Sequence, residues 1–333
     1  MTITESSPAH RKCSCLKFRT FKVGSSLRRV NAAVLCESSD VFRKVVSEIA
    51  DHDTPIVLPR ITMRQFDHLL WGLEVNSIPP PRDKGELERI LDVEEFSRHY
   101  SIHQLQIRTE STILAAIAEG TNAAILACNT FSLVRMLKIT MRVHTETLFS
   151  FLMQLWTWRL HSRELDYAFA IRLAQPSLWD HDPQPFLKVL GHAFYAAMMK
   201  MMEPNLSSGQ RIELDSRLTQ SDLVHVLCGY HSLRCWWDQI ASKPPSYMHS
   251  PSCTNPERCT GVWRIRFQCL TEEDKIPFPK IDGIRRLQEL HRLLAGDVVL
   301  INNMSESCRR GALQELLKRK EHLLKTVHHH FDL

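Results

Sequence analysis

Glycine is scarce, 11 residues in 333, which argues against a turn-rich sheet protein and, beside abundant Leu, Ala, Arg and Glu, for helices. No apolar run reaches the roughly 18 residues that a membrane-crossing helix requires. The longest, Leu148 to Trp156, is closely followed by Arg159, His161 and Arg163, and it is expected to be a buried helix. The opening MTITESSPAHRK lacks the apolar core of a secretory signal. Ten cysteines are scattered without a regular framework, so free thiols in a reducing, intracellular compartment, cytoplasm or nucleus, are expected. The chain has no G-x-S-x-G, H-E-x-x-H, Walker or G-x-G-x-x-G motif. The reading is therefore non-enzymatic, with no catalytic residue and no cofactor. A formal charge of +5 is mild for this length and permits acidic partners without demanding them.

What is present is organised around Ser39 to Leu73. Val41, Phe42, Val45, Val46 and Ile49 fall on one helical face. Pro55 to Pro59 is a short apolar run bracketed by prolines, suited to a buried strand. Thr62 and Gln65 have capping-box spacing, with Ile61 and Phe66 placed as a hydrophobic staple. Phe66, Leu69, Leu70 and Leu73 then form an apolar stripe, with Trp71 at its edge, half available to a partner. The expected core is Phe42, Val45, Ile56, Leu58, Phe66, Leu69, Leu70 and Leu73.

These pieces carry a resemblance. A strand ending in Phe21-Lys22-Val23, a short helix, Ser39-x-Val41-Phe42-Arg43, the Pro55-Ile56-x-Leu58 strand and Phe66-x-x-Leu69-Leu70-Trp71-x-Leu73 resemble the BTB/POZ domain. The wording is nearest the large fungal group in which that domain precedes a helical region. Two departures bear on the homodimer face that the resemblance implies: Gly24 replaces a His after Val23, and Arg28 to Ser39 is longer than the usual short helix.

The expected organisation is α+β: a loose segment 1–14, a BTB/POZ-like domain 15–120 with a small sheet flanked by helices, and a mostly α-helical region 121–333 with a loop near 242–260. Alternating Leu16, Phe18, Phe21 and Val23 suit one or two short strands. Pro79 to Pro81 make an extended connector. The next helix turns Leu87, Ile90, Leu91 and Phe96 inward and Glu88, Glu94 and Glu95 outward. Ile102 to Ala118 forms another, and several helices follow, separated by breakers such as Gln175-Pro176 and Glu203-Pro204. The final helices are expected at Asp282–Leu294 and Ser305–Val327, the second resembling the family's closing helix; on this resemblance the chain reads as a complete member.

Each candidate site has a bland alternative. Met198, Met201 and Met202 share a helical face and read as core before they read as a pliable binding surface. Of Trp236 and Trp237, one should be buried and the other partly exposed. His231, Cys235, His249, Cys253, Cys259 and Cys269 suggest zinc, but no C-x2–4-C knuckle occurs and Cys253 and Cys259 are separated by five residues. Free cysteines beside a loop, with no metal ligand assigned, is the expectation. The acidic neighbours Glu94-Glu95 and Glu272-Glu273-Asp274, the basic stretches at Arg28-Arg29, Arg285-Arg286 and Lys318-Arg319-Lys320, and the His328–His330 run all read as solvated.

The expected function is thus a protein–protein interaction scaffold whose first domain pairs with itself or another protein while the helical region engages a second partner. The alternatives are a substrate-recruiting adaptor of a cullin-type ubiquitin ligase and, behind it, a zinc-stabilised nucleic-acid-binding regulator. A membrane partner is excluded by the missing apolar span, and nucleic acid is disfavoured by dispersed cations.

Overall fold

A computed structural model describes residues 18–49, 51, 53–59, 61–175, 178, 184–202, 215–272 and 275–333. The expected loose segment 1–14 lies outside them, as do Leu16, Pro176, Glu203-Pro204 and Glu273-Asp274. The chain forms two compact units, 1–152 and 153–333. No helix among the described residues is long and apolar enough to cross a membrane.

The first unit is α+β. Strands β1 (Arg19–Val23) and β2 (Ser26–Val30) form an antiparallel hairpin, and β3 (Ile56–Val57) lies parallel to β1 on its other side. Gly24 sits at φ 59° in the hairpin turn, a left-handed conformation that glycine adopts without strain. The long stretch after Val23 is therefore a second strand followed by helix α1 (Ala32–Ser38), capped by Asn31, rather than one extended helix. Helix α2 (Asp40–Glu48) starts where the Ser39 hydroxyl accepts from the Phe42 N–H.

Helix α3 (Met63–Glu74) opens on the expected capping box: Gln65 N–H donates to Thr62 Oγ1, and the Gln65 side chain accepts from the Thr62 N–H. Phe21, Phe42 and Phe66 meet at the centre, with Phe42 stacked on Tyr100 at 4.4 Å. Phe42, Ile56, Leu58, Phe66 and Leu69 are core, but Val45, Leu70 and Leu73 are only half-buried. For Leu70 and Leu73 the reason is a close approach. A Cβ on Gly72 would lie 2.7 Å from Val93, so the contact line of α3 runs through Phe66, Leu69 and Gly72. Trp71 is half-buried, with Arg89 over its ring.

Helices α4 (Lys84–His99) and α5 (His103–Ala118) form a hairpin. Arg108 on α5 donates to the carbonyls of Val75 and Asn76 and so anchors the start of the proline connector. Helices α6 (Ala123–Leu126) and α7 (Thr130–Arg142) also pack on α4, which carries the first unit beyond the end expected near Gly120. Polar groups make that joint. Asp92, 2% exposed, accepts from Arg135 at 3.0 Å and lies 2.8 Å from His68 Nδ1. Glu94 points inward, 4% exposed, where Arg142 pairs with both it and Glu110. The outward reading of Glu94 fails because α7 covers that side of α4; Glu95 stays exposed and pairs with Arg135 at 2.9 Å.

Helix α8 (Glu146–His161) leads from the first unit into the second. The second unit contains α9 (Tyr167–Leu173), α10 (Gln184–Met201), α11 (Gln220–Ser242), α12 (Pro256–Thr271), α13 (Gly283–Ala295), α14 (Val298–Asn303), α15 (Glu306–Thr326) and a 3-10 turn, Val327–Phe331. Asp282 and Ser305 cap α13 and α15 at the expected places. Helix α12 begins at Pro256, because Asn255 caps it and proline suits the first helical position.

The histidine run is not a solvated tail. Val327 and Phe331 are fully buried and His328 is 4% exposed, with the turn packed on α10 and α11. Two glycines admit it: a Cβ on Gly191 would lie 2.4 Å from the His328 backbone, and one on Gly229 would lie 2.1 Å from the Phe331 ring. Trp237 is fully buried beneath the Arg286 guanidinium, 4.4 Å from its ring centre, and Trp236 is half-buried. Arg286 is thus interior rather than part of a solvated basic face. Met198 is core and Met201 and Met202 are half-buried.

Candidate metal centre and interaction face

The loop 243–255 has no helix or strand, and it is held by side chains. Trp263 Nε1–H on α12 donates to the Pro245 carbonyl at 3.1 Å, and the Tyr247 ring lies 4.9 Å from His249 and 6.2 Å from Trp263. A turn closed by the Cys253 N–H on the Ser250 carbonyl then delivers the chain to Asn255 and the start of α12. Cys259 sits at the end of the first turn of α12, and Cys308 sits in the first turn of α15, its N–H capped by Ser305.

These elements converge on four ligand atoms. The sulfurs of Cys253 and Cys259 are 3.7 Å apart, and Cys308 Sγ is 3.5 Å from His249 Nδ1. All four atoms lie within 4.8 Å of one another. Cys259 and Cys308 are buried, and His249 and Cys253 are half-buried. His249 Nε2 is 3.0 Å from Thr260 Oγ1, and that hydroxyl donates its own proton to the Pro256 carbonyl. Thr260 therefore accepts from Nε2–H, which leaves the Nδ1 lone pair facing the sulfurs.

Partial desolvation works to raise the Cys308 thiol. Hydrogen bonds from the Ser305 hydroxyl and the Ser250 N–H oppose it and bring that group below its usual value. Burial raises Cys253, and burial followed by the neighbouring cysteines pushes the Tyr247 phenol well above its usual value.

Of the six residues that suggested zinc in the sequence, the structure gathers His249, Cys253 and Cys259. His231 and Cys235 pair at 3.8 Å on the exposed side of α11, and Cys269 lies two turns or more along α12 from Cys259. The fourth member, Cys308, is remote in sequence. Its sequence signal is position alone, three residues after a capping serine.

A second polar cluster lies in unit two. His161 Nε2 and His192 Nδ1 are 2.8 Å apart, and Tyr195 Oη donates to Asp282 Oδ1 at 2.7 Å. His161, Tyr195 and Asp282 line a cavity of about 170 Å³. Because His192 also bonds the backbone of Leu324, its Nδ1 is left to accept from His161 Nε2–H. Burial holds both rings neutral, His161 at about 4 and His192 at about 3. The basic stretches are tied within the chain: Arg28 to Asp67, Arg285 to Asp282, Lys318 to Glu315 and Arg319 to the Lys243 carbonyl.

The sheet of unit one has two unlike faces. Phe21 and Ile56 are side by side on the buried face. One residue along, Leu27, Lys22 and Val57 form a row across all three strands on the other face, with Leu27 and Val57 each 60% exposed. Phe18, just ahead of β1, is 58% exposed, with Arg29 over its ring. Among the described residues no strand pairs with the outer edge of β2.

No known family model, curated protein or solved structure matches this chain.

Proposed function

We propose that the chain is a non-enzymatic interaction scaffold: a BTB/POZ-type N-terminal unit associates with a second copy or another protein, and the helical unit engages a further partner. The observation that carries this reading is the exposed row Leu27–Lys22–Val57 beside the open edge of β2. Apolar side chains on a sheet face next to unpaired backbone donors and acceptors are what an incoming protein segment can cover. The element order, a hairpin, two short helices, a parallel strand, a helix and then a helical hairpin, supports the BTB/POZ resemblance. Gly24, where that resemblance has a histidine, meets the demand of the hairpin turn.

The test is the mass of the full chain by light scattering over a range of concentrations, beside a Leu27→Lys, Val57→Lys double variant. A concentration-dependent dimer that the variant loses supports self-association through this face. A monomer throughout overturns self-association and leaves the one-to-one adaptor, whose requirement is direct binding of a purified cullin.

A further inference from the structure

We propose that His249 Nδ1 and the sulfurs of Cys253, Cys259 and Cys308 bind one zinc ion, which pins the loop 243–255 and the start of α12 to the start of α15. The geometry carries this. Zinc–sulfur bonds of about 2.3 Å at the tetrahedral angle place two sulfurs about 3.8 Å apart, and a sulfur and an imidazole nitrogen about 3.5 Å apart. The observed separations are 3.7 Å for Cys253 and Cys259 and 3.5 Å for Cys308 and His249. A disulfide between the first two would need their sulfurs at about 2.05 Å.

The donor set selects the metal. Three thiolates and an imidazole suit zinc and exclude calcium and magnesium, which take oxygen ligands. His249 has the outer support a ligating imidazole requires, since Thr260 fixes Nε2 as the protonated nitrogen. Four protein ligands close the coordination sphere and leave no position for substrate or water, so the ion is structural.

Binding balances by proton release. Three thiols lose three protons, the imidazole binds neutral, and the centre carries one net negative charge. That charge lies at the N-terminal turns of α12 and α15, where helix dipoles favour it, and the Ser250 N–H points at the Cys308 sulfur at 3.5 Å. The inference is independent of the scaffold reading, because all four ligands lie in the second unit.

The experiment is elemental analysis and native mass spectrometry of the full chain purified without chelator from zinc-supplemented medium, followed by exchange with cobalt. One zinc per chain is expected, together with the thiolate charge-transfer and tetrahedral d–d absorption of the cobalt form. Cys308→Ser and Cys259→Ser should take the zinc content from one per chain to near zero. Cys235→Ser, outside the cluster, should leave it at one, and His249→Cys should retain the ion. Zinc at background in the wild-type chain, an octahedral cobalt spectrum, or full zinc content in both Cys308→Ser and Cys259→Ser would overturn the assignment. Should those variants prove insoluble, the wild-type stoichiometry and cobalt spectrum decide it alone.

Discussion

Alanine at Gly191 should unseat the turn 327–331. The added Cβ would lie 2.4 Å from His328 Cα and 2.8 Å from its backbone nitrogen, and backbone cannot rotate aside as a side chain can. Either α10 or the turn must move. If the turn moves, Val327 and Phe331, both fully buried, return to water. Burial of each is worth about 1.5–3 kcal/mol, and alanine in place of glycine within a helix returns about 1 kcal/mol. The net expectation is a loss of about 2–5 kcal/mol, from these same burial and propensity values. Gly229→Ala, whose Cβ would strike the Phe331 ring at 2.1 Å, should behave alike. Gly261→Ala on α12 meets nothing within 4 Å and should be neutral or gain up to about 1 kcal/mol. Urea unfolding followed by tryptophan fluorescence reads the second unit, because Trp71 is the only one of the seven tryptophans before residue 153. Gly191→Ala and Gly229→Ala as stable as Gly261→Ala would refute the docking of this turn.

Other expectations rest on charge and on the sheet. Burial raises the folded-state value of Glu94, with Arg142 and Arg98 opposing, so the folded state holds its proton more tightly than the unfolded one. Stability from this group is therefore lost as pH rises from the ordinary glutamate value through the raised one, and the difference between wild type and Glu94→Gln should shift toward the variant over that range. For His161, held near 4 by burial, the sign is opposite: the unfolded chain binds the proton first, so stability is present above about 6.5 and falls as pH drops toward 4. At about 1.4 kcal/mol per unit, the loss from His161 is on the order of 3 kcal/mol. Denaturation midpoints between pH 7 and 4, with His161→Gln as the comparison, check it: an equal decline in the variant would refute the assignment. On the scaffold reading, Leu27→Lys with Val57→Lys should abolish concentration-dependent association while leaving the far-ultraviolet circular dichroism unchanged.

How much of the site was legible follows from distance along the chain. His249, Cys253 and Cys259 lie within one loop and the helix it enters, so sequence spacing brought them under suspicion. Cys308 did not, since nothing local distinguishes it from the other scattered cysteines, and only the placement of α15 beside α12 and the loop brings it within reach of His249. No C-x2–4-C knuckle is needed to bring Cys253 and Cys259 together: the Asn255 cap and Pro256 fold the five intervening residues back, so the two sulfurs end 3.7 Å apart.

The sequence alone determined the local structure: the Thr62 capping box, the helix starts at Asp282 and Ser305, the short Ile56 strand and the helical character of most described segments. Those signals are carried by residues three or four apart, within the range of a single turn. Tertiary structure decided what periodicity cannot carry. Glu94 is interior because α7 arrives with Arg142, Leu70 and Leu73 are peripheral because Gly72 lets α4 approach, and His328 and Phe331 are buried because Gly191 and Gly229 leave room for them. Each depends on the identity of a distant neighbour, and a pattern along one helix records which face is apolar but not what will come to cover the other.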